Sequence, residues 1–201
     1  MVGTTHIDLL RHGEATGGPC FRGSTDDPLT ERGWAQMWTA VEKYGPYWDS
    51  VITSPLKRCA VFARALGQRF SIPVVRDERI REMHFGAWEG RYAAELRATD
   101  ADALARFWKD PAQHPAPDAE PLANFEARVL TAWGEIIAQH SGEKFILVTH
   151  GGVIRVILRH ILQYPMGRML EFEVGHGTMR RICIDHTRGY SRAVLVTPAR
   201  E

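Results

Sequence analysis

Three short polar segments combine histidine and arginine in a way that suits attack on an anionic group. They are Arg11-His12-Gly13-Glu14, Ser54-Pro55-Leu56-Lys57-Arg58, and His150-Gly151-Gly152 with Arg155 one helical turn further on. Each segment directly follows a predicted strand. Because open α/β sheets bind ligands at the carboxyl ends of their strands, we expect one crevice to collect the basic side chains Arg11, His12, Arg58 and His150.

These residue types predict transfer of a phosphoryl group. A neutral imidazole is a competent nucleophile and needs no metal, so His12 is the predicted nucleophile and a phosphohistidine the predicted intermediate. Gly13 would let a ligand approach the backbone. The equatorial oxygens need hydrogen-bond donors, which Arg11, Arg58 and His150 would supply. Arg58 opposes the dipole of its predicted helix, and a phosphate bound at that helix N-terminus would resolve the conflict.

The leaving alkoxide also needs a proton, and Glu82 is the predicted donor. It lies in the segment Arg81-Glu82-Met83-His84-Phe85-Gly86-Ala87-Trp88-Glu89-Gly90. Four other carboxylates are weaker candidates. Glu89 suits the closing of a turn, and Asp26 and Asp27 lie in a turn-rich loop. These four are Glu14, Asp26, Asp27 and Glu89.

Structural interpretations compete with each of these roles. His12 could be a structural histidine or a general base, His150 a strand-end cap for the next helix, and Arg58 a solvated surface residue. Zinc is a further alternative, since the chain has nine histidines. None are paired at metal-ligand spacing on one helix, and no Asp/Glu/His cluster accompanies them. The sequence therefore predicts neither a metal nor another cofactor.

Short β-rich segments alternate with longer helical ones, which predicts an α/β fold with a largely parallel sheet. We predict strands at residues 6–10, 50–53, 72–76 and 145–149. Helices are predicted behind Thr30, from Ser54-Pro55 to about residue 70, over 92–109 with a break near 99–100, over 122–140 and over 151–162. Tail segments 170–174, 179–185 and 193–197 are predicted strands with antiparallel pairing. The prolines of residues 110–121 predict a loop, which is the best lid candidate.

Composition narrows the class of protein. With 201 residues, 44% of them hydrophobic, the chain is expected to form one domain over residues 1–201. A net charge of +1 and the lack of a basic stripe disfavour nucleic-acid and membrane partners. The widely spaced Cys20, Cys59 and Cys183 predict no disulfide framework, and no secretory signal is evident, so we expect a cytoplasmic protein. Edge strands near the C-terminus permit a homodimer without requiring one.

Taken in order, these motifs resemble the histidine phosphatase superfamily, which is phosphoglycerate mutase-like. The matching stretches are Leu10 to Glu14, Pro28-Leu29-Thr30 with Gly33 and Gln36, Ser54 to Arg58, Glu82 with Phe85 to Gly90, and Thr149 to Gly152. The resemblance implies a three-layer α/β/α sandwich and the same roles for His12, Glu82 and the phosphate pocket. The late segment Gly175-His176-Gly177-Thr178 receives no catalytic role.

Within that family the chain is most similar to the α-ribazole phosphatases of cobalamin biosynthesis, on residues 21–30 and 83–86. The resemblance implies hydrolysis of α-ribazole 5′-phosphate or adenosylcobalamin 5′-phosphate. Many members have Thr or Ser after the Glu14 position and Asn soon after, where this chain has Ala15-Thr16-Gly17-Gly18-Pro19. Arg22 or backbone amides would then replace that contact. Candidate substrate contacts are therefore Arg22, Gly23 and Trp88, although core packing is the competing interpretation of Trp88.

Other functions use the same residues. A phosphoglycerate mutase must exclude water with a tight lid, for which only residues 110–121 are available, so hydrolysis is favoured. A broad-specificity sugar or nucleotide phosphatase would share the whole catalytic set. A non-catalytic phospho-ligand binding module is a different class, but it would need neither a nucleophile nor a proton donor.

Overall fold

The computed structural model describes residues 3–45, 47–186 and 192–196. A six-stranded sheet has the order β3-β2-β4-β1-β5-β6. Its strands are β1 (Thr5–Arg11), β2 (Ser50–Thr53), β3 (Val74–Arg76), β4 (Lys144–Thr149), β5 (Met179–Asp185) and β6 (Arg192–Val196). The four strands from β3 to β1 pair in parallel, and β5 is antiparallel to both of its neighbours. This confirms the predicted, mostly parallel α/β sheet with antiparallel strands at the C-terminal end.

Six α-helices connect and cover these strands: α1 (Glu31–Tyr44), α2 (Lys57–Phe70), α3 (Ala93–Thr99), α4 (Ala101–Lys109), α5 (Leu122–Gln139) and α6 (Gly151–Leu162). Thr30 caps α1 as predicted, because its side chain accepts from the Gly33 amide at 3.0 Å. The predicted break near residues 99–100 is also present, and Asp100 caps α4. The prolines at 110–121 form a loop as expected.

Alternation along the central strands divides the core between two faces of the sheet. On β4, Phe145 and Leu147 pack with α5 and α6, whereas Ile146 and Val148 pack with α1 and α2. The fold is therefore a three-layer α/β/α sandwich. A smaller apolar cluster lies outside these layers and joins α3 and α4 to the loops. It contains Phe21, Trp88, Leu96, Leu104, Phe107 and Ala116.

Two predicted elements are wrong. Residues 170–174 do not form a strand; a 3-10 helix covers Met166–Glu171, and irregular backbone follows. The carbonyls of Phe172, Glu173 and Val174 instead accept hydrogen bonds from arginine side chains, so no neighbouring strand is needed to satisfy them. The second helix begins at Lys57 rather than at Ser54-Pro55. The predicted last strand ends at Val196, and Thr197 lies outside the described residues.

Asp8 on β1 is a buried charge with 1% of its surface exposed. Arg181 donates to both of its carboxylate oxygens at 2.9 Å, and the Tyr47 hydroxyl and the Trp48 indole N–H add further bonds at 3.1 and 2.9 Å. A buried carboxylate is tolerated when its oxygens are paired in this way. The network ties β1 to β5 and to the segment before β2.

We expect Asp8→Asn to lower the free energy of unfolding by about 3 kcal/mol, because the substitution leaves the Arg181 guanidinium without its counter-charge. Urea unfolding followed by circular dichroism measures the change. Glu171→Gln is the matched control, since Glu171 forms a similar two-bond pair with Arg168 on the exposed surface. An Asp8→Asn midpoint equal to that of the control would show that the buried network contributes little to stability.

Candidate active site

The carboxyl edge of the sheet gathers the predicted polar side chains. Because β2, β4 and β1 are neighbours, Arg11 at the end of β1, Arg58 in the first turn of α2 and His150 after β4 lie together. A cavity of about 390 Å³ opens at this edge. The charged and histidine side chains that line it are Arg11, His12, Arg22, Arg58, Glu82 and Arg155.

His12 presents an uncharged ring to this cavity. Its Nδ1 lies 2.7 Å from the carbonyl oxygen of Gly13. A carbonyl oxygen only accepts, so Nδ1 carries the hydrogen and Nε2 of the neutral ring keeps its lone pair. Burial holds the pKa of His12 well below its ordinary value, and the positive charges of Arg58 and Arg11 lower it further. His12 is therefore a neutral base with one nitrogen free at neutral pH.

Two guanidinium groups flank His12, that of the buried Arg58 and that of the half-buried Arg11. Arg58 is 1% exposed and donates to the carbonyls of Gly23 at 2.7 Å and Thr25 at 2.6 Å. Arg11 donates to the carbonyl of Val174, while its Nε is buried without a hydrogen-bond partner among the described residues. Burial lowers the pKa of Arg11 to about 10 and also lowers that of Arg58. An unpaired buried donor beside a cavity, such as Arg11 Nε, suits an anionic ligand.

His150 lies behind Arg58 and is completely buried. Arg58 Nε donates to its Nδ1 at 3.3 Å, so Nε2 carries the hydrogen and donates to Ser54 Oγ at 2.7 Å. The ring centroids of His12 and His150 are 5.2 Å apart. Both ring nitrogens of His150 are thus engaged by protein groups, and His150 does not line the cavity. Direct contact of His150 with a phosphoryl oxygen therefore stays a prediction; in this structure His150 hydrogen-bonds Arg58 instead.

Glu82 lies on the cavity wall at the N-terminus of α6. Its Oε2 accepts from the Gly152 amide and its Oε1 from the Met83 amide, both at 3.1 Å. A Cβ atom at position 152 would lie 2.3 Å from Glu82 Oε1, so a side chain there would displace the carboxylate from this position. The predicted proton donor is therefore held in place by backbone amides, one of them at the start of α6.

The loop over residues 15–28 is held by its own charged side chains. Arg22 Nε pairs with Asp27 at 2.8 Å, and Nη2 donates to the carbonyls of Thr16 and Gly18 at 2.7 Å. The Asp26 carboxylate accepts from the Lys57 amide at 2.6 Å. Asp26 therefore caps α2, so a protein carboxylate rather than a phosphate already occupies part of that helix N-terminus. Most of the hydrogen-bonding capacity of Arg22 is used within its loop.

The glycines near the site serve close backbone packing. A Cβ atom at Gly13 would lie 2.0 Å from the carbonyl oxygen of Gly33, so this glycine admits the start of α1 rather than a ligand. A Cβ atom at Gly23 would lie 2.1 Å from Glu89 Oε1. Gly23, a candidate substrate contact, lines the cavity, and its carbonyl holds Arg58. At Gly13 the neighbouring element is closer than sequence alone reveals, whereas contact of Gly23 with substrate stays a prediction.

The weaker carboxylate candidates are engaged in structural bonds. Glu89 accepts from the Ser24 amide at 2.8 Å and from the Phe85 amide at 3.1 Å, which joins the loop over 15–28 to the segment after Glu82. Glu14 accepts from the Thr30 hydroxyl at 3.1 Å. Of the carboxylates considered from the sequence, Glu82 is the one that lines the cavity.

Apolar side chains form the rest of the cavity wall, and the tryptophan among them is not the predicted one. Trp88 is 3% exposed and packs against Phe21 and Phe107, each with ring centroids 5.2 Å away, as the core-packing interpretation requires. Trp108 lines the cavity instead. Its signal in the sequence is its place on α4, next to the buried stripe of Leu104 and Phe107. Other apolar lining residues are Pro19, Phe21, Met83, Phe85, Ala93, Phe107, Pro111, Leu122, Phe125, Met169 and Leu170.

A third histidine lies beside His12 without having been assigned a role. The ring centroids of His176 and His12 are 5.6 Å apart, and the Gly177 amide donates to the His12 carbonyl at 3.2 Å. Burial, followed by the charge of Arg11, lowers the pKa of His176 to about 4. The turn over residues 175–178 therefore holds the His12 backbone through Gly177 and places the uncharged ring of His176 beside the ring of His12.

A comparison with protein families agrees with this geometry. The sequence model of the histidine phosphatase superfamily, branch 1, matches residues 7–196. The chain belongs to this superfamily. It is a phosphatase of that family, and the elements that carry His12, Arg58, Glu82 and His150 all lie within the matched region.

Relatives of this histidine phosphatase act on different esters. An adenosylcobalamin/alpha-ribazole phosphatase of Salmonella typhimurium is 28% identical over 88% of this chain and 89% of its own length. A metal-independent phosphoserine phosphatase of Arabidopsis thaliana is 31% identical over 85% of this chain and 74% of its own. A mycobacterial glucosyl-3-phosphoglycerate phosphatase structure has a TM-score of 0.83 at 26% identity, covering 96% of this chain and 97% of its own.

Two further features of the phosphatase concern metals and membranes. Within residues 3–45, 47–186 and 192–196, His, Cys, Asp and Glu side chains form no group of three or more that could hold a metal ion. None of the helices in the described part of the chain combines the length and the apolar character needed to cross a membrane.

The bond between Ser54 and His150 yields a test of the support behind Arg58. We expect Ser54→Ala to weaken binding of inorganic phosphate and to lower the free energy of unfolding by about 1–3 kcal/mol, because it leaves a buried N–H of His150 unsatisfied. Calorimetric titration and urea unfolding measure the two effects. Ser50→Ala is the matched control, since Ser50 Oγ on β2 is buried without a hydrogen-bond partner in the described residues. Equal behaviour of both variants would remove Ser54 from this supporting role.

Proposed function

We propose that this chain hydrolyses phosphate monoesters through a phosphohistidine intermediate on His12, and that α-ribazole 5′-phosphate is its substrate. The observation that carries the chemical part is the state of His12: a neutral ring with Nδ1 bound to the Gly13 carbonyl and Nε2 free at the cavity. Adenosylcobalamin 5′-phosphate carries the same ester and is included in the proposed substrate class.

In the first step, His12 Nε2 attacks phosphorus and the bond to the ester oxygen breaks. The leaving alkoxide takes a proton from Glu82, which then carries the charge. In the second step, water attacks the phosphohistidine, Glu82 receives the proton of that water, and inorganic phosphate leaves. The ring of His12 is regenerated, so the two steps balance without an external acid, base or metal.

The surrounding charges support this sequence of steps. Arg11 and Arg58 would hold the equatorial oxygens, where the partner-free Nε of Arg11 offers a donor that needs no reorganisation. The lowered pKa of His12 keeps the ring neutral at neutral and weakly acidic pH. Its protonation would reduce the rate only below its ordinary pKa of about 6.5. His150, held by Ser54, would fix the orientation of Arg58.

The apolar wall supports an ester with a large, weakly polar leaving group. Phe21, Phe85 and Trp108 line the same cavity as the basic groups, and the benzimidazole of α-ribazole is a flat apolar ring of the kind such walls accept. The Salmonella typhimurium relative and the likeness at residues 21–30 point the same way. A broad-specificity phosphatase remains the alternative, because other relatives act on phosphoserine and on a glycerate ester.

For the substrate, we expect rapid phosphate release from α-ribazole 5′-phosphate in the presence of EDTA. Its kcat/KM should exceed those of phosphoserine, 3-phosphoglycerate and glucose 6-phosphate by about tenfold or more, since apolar contacts of one ring supply about that discrimination. His12→Ala should lose about a thousandfold or more of this activity. Colorimetric phosphate release measures all four esters.

His114→Ala serves as the control, because His114 is an exposed histidine of the loop over 110–121. Equal or faster turnover of the other esters would retain the chemistry and reject α-ribazole 5′-phosphate as the preferred substrate. Conversion of 3-phosphoglycerate to its 2-isomer would instead identify a mutase, and full activity of His12→Ala would reject the phosphohistidine.

For the proton donor, we expect Glu82→Gln to reduce kcat by about 100-fold on alkyl phosphates and much less on 4-nitrophenyl phosphate. The nitrophenolate departs without needing a proton, whereas an alkoxide requires general acid catalysis. Steady-state kinetics on both esters separates the two cases within one variant. An equal loss on both esters would mean that Glu82 acts on phosphate binding or on folding and not as the acid.

A further inference from the structure

Trp108 is an apolar side chain left open to solvent at the active-site cavity. It is 51% exposed, the highest value among the large apolar side chains of the described residues. Exposed tryptophan on a cavity wall is unusual, because burial of such a ring is strongly favourable. Trp108 lies one residue from the end of α4, where the side chains that serve the core are Leu104 and Phe107. Its exposed face therefore has no role in the core of the fold.

The ring of Trp108 is nevertheless held in place. Its centroid lies 5.3 Å from that of Phe107 at an interplanar angle of 71° and 5.8 Å from that of Phe21 at 35°. Phe21 in turn contacts Phe85 at 5.3 Å and Trp88 at 5.2 Å. A ring fixed on one side by an aromatic cluster and open on the other is preorganised, so a ligand that covers it loses little side-chain entropy.

We propose that Trp108 is a specificity-determining residue that stacks on the leaving group of the substrate and selects phosphate monoesters bearing a flat aromatic ring. The proposal rests on the proposed function for the phosphate end of the ligand, which the basic side chains at the other part of the same cavity would bind. Apart from the basic side chains and Glu82, the residues that line this cavity carry no charged group, and Pro19, Cys20 and Pro111 are among them. A leaving group with an aromatic ring would thus match the apolar surface around Trp108.

Non-hydrolysable probes test the subsite without depending on turnover. Calorimetry of 1-naphthylphosphonate and methylphosphonate gives the ratio of their Kd values in the unmodified protein and in Trp108→Ala. We expect the naphthyl probe to bind about tenfold or more tightly than the methyl probe, and Trp108→Ala to reduce that ratio about tenfold, because one stacked ring contributes on this scale. Trp108→Phe should keep most of the preference, since it retains an aromatic face.

Val75→Ala is the control, because Val75 on β3 is 48% exposed and lies away from the cavity; it should leave both Kd values unchanged. Equal binding of the two phosphonates, or an equal loss for both in Trp108→Ala, would overturn the proposal. The outcome is separable from that of the proposed function. Failure to hydrolyse α-ribazole 5′-phosphate together with retained naphthyl preference would reject that substrate and keep the aromatic subsite.

Discussion

Burial of positive charge at the carboxyl edge of the sheet is the constraint on which the site depends. Arg58 and Arg11 lie beside the cavity, and within the described part of the chain neither forms an ion pair with a carboxylate. Their partners are carbonyl groups and a neutral histidine. Buried charge without a counter-ion is costly, and a bound dianion supplies what the fold omits. Binding of phosphate would therefore also stabilise this edge of the sheet, because it offsets the cost of the two positive charges.

The same charges determine the state of the nucleophile and the shape of the wall. Together with burial, which is the larger cause, they keep the pKa of His12 low, so its ring stays unprotonated, as the proposed attack on phosphorus requires. Arg58 also donates hydrogen bonds to the carbonyls of Gly23 and Thr25. These bonds orient the guanidinium and hold the loop over residues 15–28 against it. The same loop stabilises the helix that carries Arg58, because Asp26 of the loop accepts a hydrogen bond from the Lys57 amide at the start of α2. The start of α2 and the loop over residues 15–28 thus stabilise each other.

The sequence was sufficient for features that depend on local pattern and strand order. Alternation of strands and helices, the ends of β1, β2 and β4, and the meeting of His12 with Arg58 follow from such patterns. It was insufficient where distant backbone decides the outcome. The close approach of Gly33 explains Gly13, and arginine bonds to carbonyls 172–174 replace the predicted strand. Burial of Trp88 and exposure of Trp108 depend on how α4 packs, which hydrophobicity alone does not reveal.

Under the proposed function, catalysis and selectivity are carried by different parts of this chain. The reacting groups lie at strand ends and helix starts, where parallel pairing and the two-sided core leave little freedom of position. The apolar wall comes from the third cluster, built from α3, α4 and loops that pack outside the sandwich. Changes on α4 would alter the shape that meets the leaving group without replacing any residue of the strand ends that position His12. Relatives at 28% and 31% identity can therefore share phosphate chemistry and act on different esters, as their distinct activities indicate. Under the proposed function, the identity of the substrate would consequently depend on the environment of Trp108 rather than on His12.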